Sequence, residues 1–316
     1  MARVEVFLWI CVLTMLIFRI DPLKAQCSNY RDFSSIDSTM ELYRLDRRAE
    51  NFCRYISGKF FADSKNYAVP IGYRNDKDFH PTAFAISSND NSLWPRCEVI
   101  AGPSKCGYIL IDQDWVESVW EKNDFRTNNE IVFLFAHEIA HIIHANDTLW
   151  QRAVEIVRDS SGDGRYKGYF KRDSLGRSIG FFGYITNELV KRAKEFHADY
   201  AAGIIVYDLV LYAHDYWIDS DLKKVSRAHQ TAYDNILSDF KDFIKKELAP
   251  RPSPSHGDAR DRVRYFLKGI EDRRRYFKSI DEISFRNRLA RGTFPYNVIQ
   301  LFTSEGINIK EKLGIK

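Results

Sequence analysis

The sequence predicts a helix-dominated α+β fold with a small β-sheet. Residues 37–58 and 112–122 place apolar and aromatic residues at helical spacing among charged ones, as amphipathic helices do. Between residues 70 and 112, Gly, Pro, Asn and Ser interrupt short apolar runs at 82–87 and 108–111, which is typical of short strands. Because 45% of the 316 residues are hydrophobic, the chain can bury a sizeable core.

The first residues predict a targeting segment. Residues 6–18 are uncharged and apolar and lie between Arg3 and Arg19, as in the central region of a signal peptide. A helix of that length rises about 20 Å, which is short of the ~30 Å hydrocarbon core of a bilayer. We therefore expect residues 1–25 to be a signal peptide and residues 26–316 to form one domain. An uncleaved N-terminal anchor and a buried core helix are the alternatives.

Export is the localisation that this segment predicts, either to the periplasm or outside the cell. No integral membrane span is then expected after signal removal, and a cytoplasmic protein is the alternative. The net charge of +4 calls for neither a nucleic-acid partner nor an acidic substrate.

Cysteine usage fits export, because four cysteines remain after the first 25 residues and two disulfides can form. The favoured pairs are Cys97 with Cys106, across a short loop, and Cys27 with Cys53. The alternative is four buried thiols in a cytosolic protein.

A helix is predicted from Thr127, because Thr127 and Glu130 form a capping box before an apolar run, and it should end near Asn146. Within it, His137 and His141 are four residues apart, so both rings project from one face and can bind one Zn²⁺. Glu138, beside them, can take a proton from an attacking water. The spacing alone also arises by chance, so a third ligand is needed.

The long metzincin motif does not supply that third ligand. It requires Gly at position 144 and a ligand at 147, whereas this chain has His144 and Asp147. Metzincins also have a methionine turn after the motif, and all three methionines here precede it.

A second helix, expected from about Thr186, offers a better candidate. Glu195 and Asp199 lie one turn apart on one face, so Glu195 can bind the metal while Asp199 accepts a hydrogen bond from a ligand histidine. His197 points away from that face. The alternative is a solvated charged face beside Lys194.

These motifs resemble the gluzincin peptidases that include the CAAX prenyl endopeptidase and the HtpX and BepA proteases. The chain is similar to that family at residues 82–85, 107–111, 136–141 (Ala-His-Glu-x-x-His), 195–199 (Glu-x-x-Ala-Asp) and 255–263. It departs from the family where Thr82 replaces Asn and Gly257 replaces Pro. The resemblance covers about residues 80–270.

The resemblance implies a zincin-like domain with one Zn²⁺ per chain, held by His137, His141 and Glu195. It implies that His256 stabilises the oxyanion or occupies the fourth metal position, and that Arg262 pairs with an acidic group near the site. It further implies that a polypeptide substrate docks along an edge strand containing three residues, Tyr108, Ile109 and Leu110.

The expected function is therefore a zinc-dependent endopeptidase acting on proteins, with a role in envelope protein quality control. One alternative is a cytosolic regulatory peptidase of the phage-exclusion type. The other is a catalytically silent, zinc-bound chaperone or scaffold in which His256 closes the site. Neither the substrate identity nor the oligomeric state follows from the residues.

Overall fold

A computed structural model describes the part of the chain that surrounds the predicted site. It covers residues 29–30, 40–45, 47–60, 67–75, 82–86, 94–102, 104, 106–122, 125–146, 152, 171–172, 178–179, 181–249 and 256–277. The predicted signal peptide, residues 1–25, lies outside the described residues. Across those ranges, no helix has the length and apolar character that crossing a membrane requires.

The described strands form one mixed sheet and a two-stranded ribbon. Their bounds are β1 Asn29–Tyr30, β2 Met40–Arg44, β3 Ala68–Asn75, β4 Ala83–Ile86, β5 Gly107–Asp112, β6 Lys171–Arg172 and β7 Ser178–Ile179. The order in the main sheet is β1-β2-β3-β5-β4. β3 and β5 are parallel, with Ile71 opposite Leu110, and the other neighbouring strands are antiparallel. β6 and β7 form the ribbon.

The helices make up most of the described structure. Their bounds are α1 Arg47–Phe60, α2 Trp94–Ala101, α3 Gln113–Lys122, α4 Phe125–Asn146, α5 Phe181–Val206, α6 Tyr212–Ile218, α7 Lys223–Phe243 and α8 Ala259–Phe277. Two π-helical turns, Tyr207–Leu211 and Ile244–Leu248, follow α5 and α7. The predicted α+β class, dominated by helices with a small sheet, is confirmed.

One local prediction is wrong. Residues 40–44 form strand β2 rather than the start of a helix, because pairing along the whole length of β2 with β3 outweighs a helical pattern of apolar residues. The short strands predicted at residues 82–87 and 108–111 are confirmed as β4 and β5, and helix α2 lies between them. Helix α4 ends at Asn146 as predicted but begins at Phe125, so the Thr127 capping box lies inside its first turn.

The sheet is buried on both faces, and β5 shows this most clearly. Ile109 and Ile111 face the large core built with the helices, whereas Tyr108 and Leu110 face a smaller core that includes Cys97 from α2. This alternation explains why residues 107–111 are apolar without a break, since a central strand covered on both sides needs no polar face.

The predicted disulfides are wrong. Cys53, Cys97 and Cys106 are buried thiols. The two cysteines expected to pair are separated by the sheet, because Cys97 packs in the smaller core and Cys106 in the large one. The thiol of Cys53 donates a hydrogen bond to the carbonyl oxygen of Ala68, and burial raises its pKa. The other predicted partner, Cys27, lies outside the described residues.

Helices α5 and α8 cross at two glycines, and this crossing sets the position of α8 beside the site. A Cβ at Gly203 would overlap the carbonyl oxygen of Phe266, and one at Gly269 would overlap that of Tyr200. The two backbones can approach this closely only because neither residue has a side chain.

We expect Gly269→Ala to lower the free energy of unfolding by about 2–3 kcal/mol, because the two helices must move apart. Gly58→Ala is the matched control. In the described structure, a Cβ at Gly58 meets no atom within 4 Å, so alanine should stabilise α1 by about 0.5–1 kcal/mol. Urea unfolding of both variants measures the difference, and equal stabilities would contradict the close crossing.

Candidate metal centre

Three side chains from two helices converge at one point. His137 and His141 project from one face of α4, and Glu195 reaches them from α5. The Nε2 atoms of the two histidines are 3.1 Å apart. Oε2 of Glu195 lies 3.4 Å from Nε2 of His137, and Oε1 lies 3.3 Å from Nε2 of His141. Within the ranges described, this is the only group of three side chains with metal-ligating atoms placed to hold one ion.

This triangle fits a tetrahedral zinc site. With Zn–N and Zn–O distances of about 2.0–2.1 Å, tetrahedral ligand atoms lie about 3.3 Å from one another. The Nε2–Nε2 separation of 3.1 Å and the 3.3 Å from Nε2 of His141 to Oε1 of Glu195 agree with that spacing, and Nε2 of His137 lies 3.4 Å from the other carboxylate oxygen, Oε2. The donors are two imidazole nitrogens and one carboxylate, the set that zinc peptidases use with a fourth position left open. The residues present therefore fit a zinc ion.

Asp199 and Arg262 hold the ring of His137 in its orientation. Nδ1 of His137 is 3.0 Å from Oδ1 of Asp199. The Arg262 guanidinium donates to both oxygens of Asp199, at 2.8 and 2.9 Å, so the pair is bidentate. On the other side, the ring of His137 stacks on Phe133, with centroids 5.8 Å apart. The ligand ring is thus held in the orientation that aims Nε2 at Glu195.

Arg262 ties a third helix to the site. It extends from α8 and is only 2% exposed. One guanidinium nitrogen lies 3.2 Å from Oε2 of Glu195, and another donates to the carbonyl oxygen of Leu248, at the end of a π-helical turn. Asp258 caps the start of α8 by accepting a hydrogen bond from the amide of Asp261, which fixes where the helix begins.

The site is closed on one side and open on the other. His137, Glu138 and Asp199 are 3%, 5% and 0% exposed. The side chains of His141 and Glu195 are 20% and 15% exposed, and that of His256 is 53% exposed. Because exposure rises in this direction, the ligand atoms are open to solvent on the side of His256.

His256 lies at the open side, as expected. Its Nε2 atom is 4.0 Å from Oε1 of Glu195. From this position its imidazole can donate a hydrogen bond to a group held between the ligand atoms. The neighbouring Gly257 has a φ of 74°, and a Cβ there would meet the ring of Phe196, so glycine allows the loop to bring His256 to the site.

Electrostatics keep the ligand carboxylate charged. Burial alone would raise the pKa of Glu195, but His141, His137 and Arg262 hold it well below its usual range. Burial alone would lower the pKa of His137, yet hydrogen bonds to Asp199 and Glu195 raise it to about 9. The carboxylate is therefore ionised at neutral pH and ready to bind a cation.

The surroundings of Glu138 shift its pKa in the opposite direction to that of Glu195. Its burial raises its pKa, and this effect is opposed by the nearby His137 and His141. A carboxyl whose pKa lies nearer to neutral is better matched to accepting a proton and returning it.

Seven of the predicted site residues meet at one place, and the three predicted to bind substrate lie elsewhere. His137, Glu138, His141, Glu195, Asp199, Arg262 and His256 meet at one site. The predicted edge strand is wrong: β5 lies between β3 and β4, and its residues Tyr108, Ile109 and Leu110 are fully buried.

β4 is an end strand of the main sheet, as β1 is at the opposite end, and among the described strands it pairs with β5 alone. The amide of Asp112 donates to the carbonyl oxygen of Thr82, which makes this a hydrogen-bonded pair. In an antiparallel ladder such pairs alternate, so the amides and carbonyls of Ala83 and Ala85 point away from β5.

A pair of buried histidines near the ligands was not predicted from the sequence. Nε2 of His144 lies 2.6 Å from Nδ1 of His197, and both rings are buried between α4 and α5. Burial and His197 hold the pKa of His144 well below its usual range.

We expect Asp199→Asn to weaken zinc binding by about 10–100-fold, because the amide cannot hold the ligand ring as a carboxylate does. Competition with a fluorescent chelator measures the affinity. Asp272→Asn, on α8 outside the site, is the control and should leave zinc affinity unchanged. Equal affinities for wild type and Asp199→Asn would show that Asp199 does not orient the ligand.

Comparison with known proteins finds no relative of this chain. No family model, no curated protein and no solved structure matches it significantly.

Proposed function

We propose that this chain is a zinc-dependent endopeptidase of the gluzincin type, with a zincin-like catalytic domain. The observation that carries the proposal is the convergence of His137, His141 and Glu195, whose ligand atoms lie within 4.8 Å of one another, with the buried carboxyl of Glu138 beside them. A buried carboxyl next to a three-ligand site with an open side has the parts that hydrolysis of a peptide bond requires.

Zinc, when bound, would polarise the scissile carbonyl and lower the pKa of water. The protein residues then divide the remaining work. Glu138 accepts a proton from the attacking water and returns it to the leaving amine, which its raised pKa favours. His256 donates a hydrogen bond to the oxygen on which negative charge develops. Asp199 and Arg262 keep the ring of His137 in place.

The substrate is proposed to be an extended polypeptide bound at β4. The outward amides and carbonyls of Ala83 and Ala85 can pair with the backbone of an added strand. Backbone pairing gives little preference for side chains, so unfolded proteins fit this site better than one defined sequence. Export to the cell envelope is part of the proposal, and mass spectrometry of the mature N-terminus tests it.

The test is cleavage of an unfolded protein such as reduced casein by the zinc-loaded chain. We expect fragments with new N-termini, loss of cleavage with 1,10-phenanthroline, and recovery when zinc is restored. Cleavage that persists without metal would contradict the proposal.

A silent chaperone or scaffold is the second candidate, and the position of His256, 4.0 Å from Oε1 of Glu195, favours it. In that case His256 would keep the open position closed. Zinc-loaded wild type would then leave casein intact, whereas a cleaving wild type excludes this candidate.

A further inference from the structure

A second pair of histidines lies away from the candidate metal centre. His214 on α6 and His229 on α7 face each other across the turn that joins the two helices. Their Nδ1 atoms are 2.9 Å apart, and their ring centroids are 5.1 Å apart. The proposed function uses neither residue.

The geometry of this pair resembles that of the ligand pair on α4. His137 and His141 have nitrogens 3.1 Å apart and centroids 4.7 Å apart. Two imidazoles bound to one tetrahedral ion, with metal–nitrogen distances of about 2.0–2.1 Å, have nitrogens about 3.3 Å apart. A widening of a few tenths of an ångström would therefore let both Nδ1 atoms of the surface pair bind one ion.

The surroundings favour the neutral form of His214 and leave both rings within reach of solvent. Burial and the neighbouring His229 lower the pKa of His214, and the neutral imidazole is the form that binds metals. Both residues are partly exposed, unlike His144 and His197, which are buried with no such access. The indole of Trp217 stacks on His229, with centroids 6.0 Å apart and planes 17° from parallel, which fixes that ring.

We propose that His214 and His229 form a second metal site, for a divalent transition-metal ion that prefers imidazole ligands, such as Cu²⁺, Ni²⁺ or Zn²⁺. With two protein ligands, the remaining positions are filled by water. The ion takes the place of the proton between the two Nδ1 atoms, that proton moves to Nε2 of the same ring, and the ion joins α6 to α7. The site is weaker than the first, which has three protein ligands.

The test uses the full chain preloaded with one equivalent of Zn²⁺ and titrated with Cu²⁺. Calorimetry should detect binding of a further equivalent, and Trp217 fluorescence should fall because Cu²⁺ quenches a nearby indole. Trp217→Phe identifies this signal among the six tryptophans of the chain. Zn²⁺ added in excess should reverse the quenching by competition.

Two single variants, His214→Gln and His229→Gln, each remove one imidazole and keep a hydrogen-bonding side chain. We expect each to weaken binding of the further equivalent by about tenfold or more. Circular dichroism checks folding, and either variant alone suffices if the other unfolds. Glu195→Gln, which alters only the first centre, should leave the quenching in place.

If the wild type binds no further equivalent of metal, the proposal is wrong and His214 and His229 form only a hydrogen bond. Binding that survives in both folded variants, or in one of them, would also overturn it. Since neither histidine acts in peptide hydrolysis, these results do not depend on whether the chain is a peptidase.

Discussion

Glu138→Gln is expected to bind zinc like the wild type and to lose hydrolysis by about 10²–10⁴-fold, because glutamine cannot accept a proton. The side chain is 5% exposed and lies beside His137 and His141 without being part of the ligand triangle. Glutamine has nearly the same shape, so the fold and the ligands should be unchanged. Cleavage of casein and zinc content are measured on the same preparation.

Glu271→Gln is the matched control for this variant. Glu271 is an exposed residue on α8, paired with Arg275, and lies outside the site. It should keep both zinc and activity. A Glu138→Gln protein that cleaves at the wild-type rate would remove Glu138 from the mechanism, and one that loses zinc would place the residue among the ligands instead.

Arg262→Met is expected to have the largest effect on stability, a loss of about 3–5 kcal/mol in the free energy of unfolding. Methionine fills part of the volume of arginine but leaves Asp199, which is 0% exposed, without its bidentate partner. A buried carboxylate that loses its counter-charge costs much more than a surface one. Urea unfolding of the metal-free protein measures the change.

Arg264→Met is the control for this second prediction. Arg264 lies on the same helix, is 68% exposed, and pairs with Asp261 at the surface. Its loss should change the free energy of unfolding by about 0.5 kcal/mol or less. If both variants unfold at the same urea concentration, Arg262 does not anchor the site to α8.

Much of the site could be predicted because its signals are local. The spacing of His137 and His141 determines that their rings share a face, and the same holds for Glu195 and Asp199. What the sequence lacked was a geometric reason to bring these helices together. The structure supplies one in Arg262 on a third helix, which contacts Asp199 and Glu195 on α5 and lies 3.4 Å from Nε2 of His137 on α4.

The edge strand could not be predicted because strand order depends on distant pairings. The unbroken apolar run at residues 107–111 indicates that both faces of the strand are covered, but whether strands pair on both of its sides is decided only by its pairing with β3 and β4. The predicted disulfide between Cys97 and Cys106 is wrong for a related reason. Cys97 and Cys106 are close in sequence, but which face of the sheet each one occupies is a tertiary property.

The two histidine pairs could not be predicted from the sequence either. His144 and His197 come from different helices, and so do His214 and His229, so no sequence spacing reports their contact. Pairs on one helix can be predicted from the sequence, whereas pairs between helices need the fold.

The central claim is that His137, His141 and Glu195 bind one zinc ion, and metal analysis of wild type against Glu195→Ala tests it most directly. After dialysis against a low zinc concentration, we expect about one equivalent in the wild type. Glu195→Ala should lose zinc affinity by about 100-fold or more, since a ligand matters at least as much as its supporting groups. Wild-type protein without zinc, or a Glu195→Ala variant that retains a full equivalent, would contradict the account.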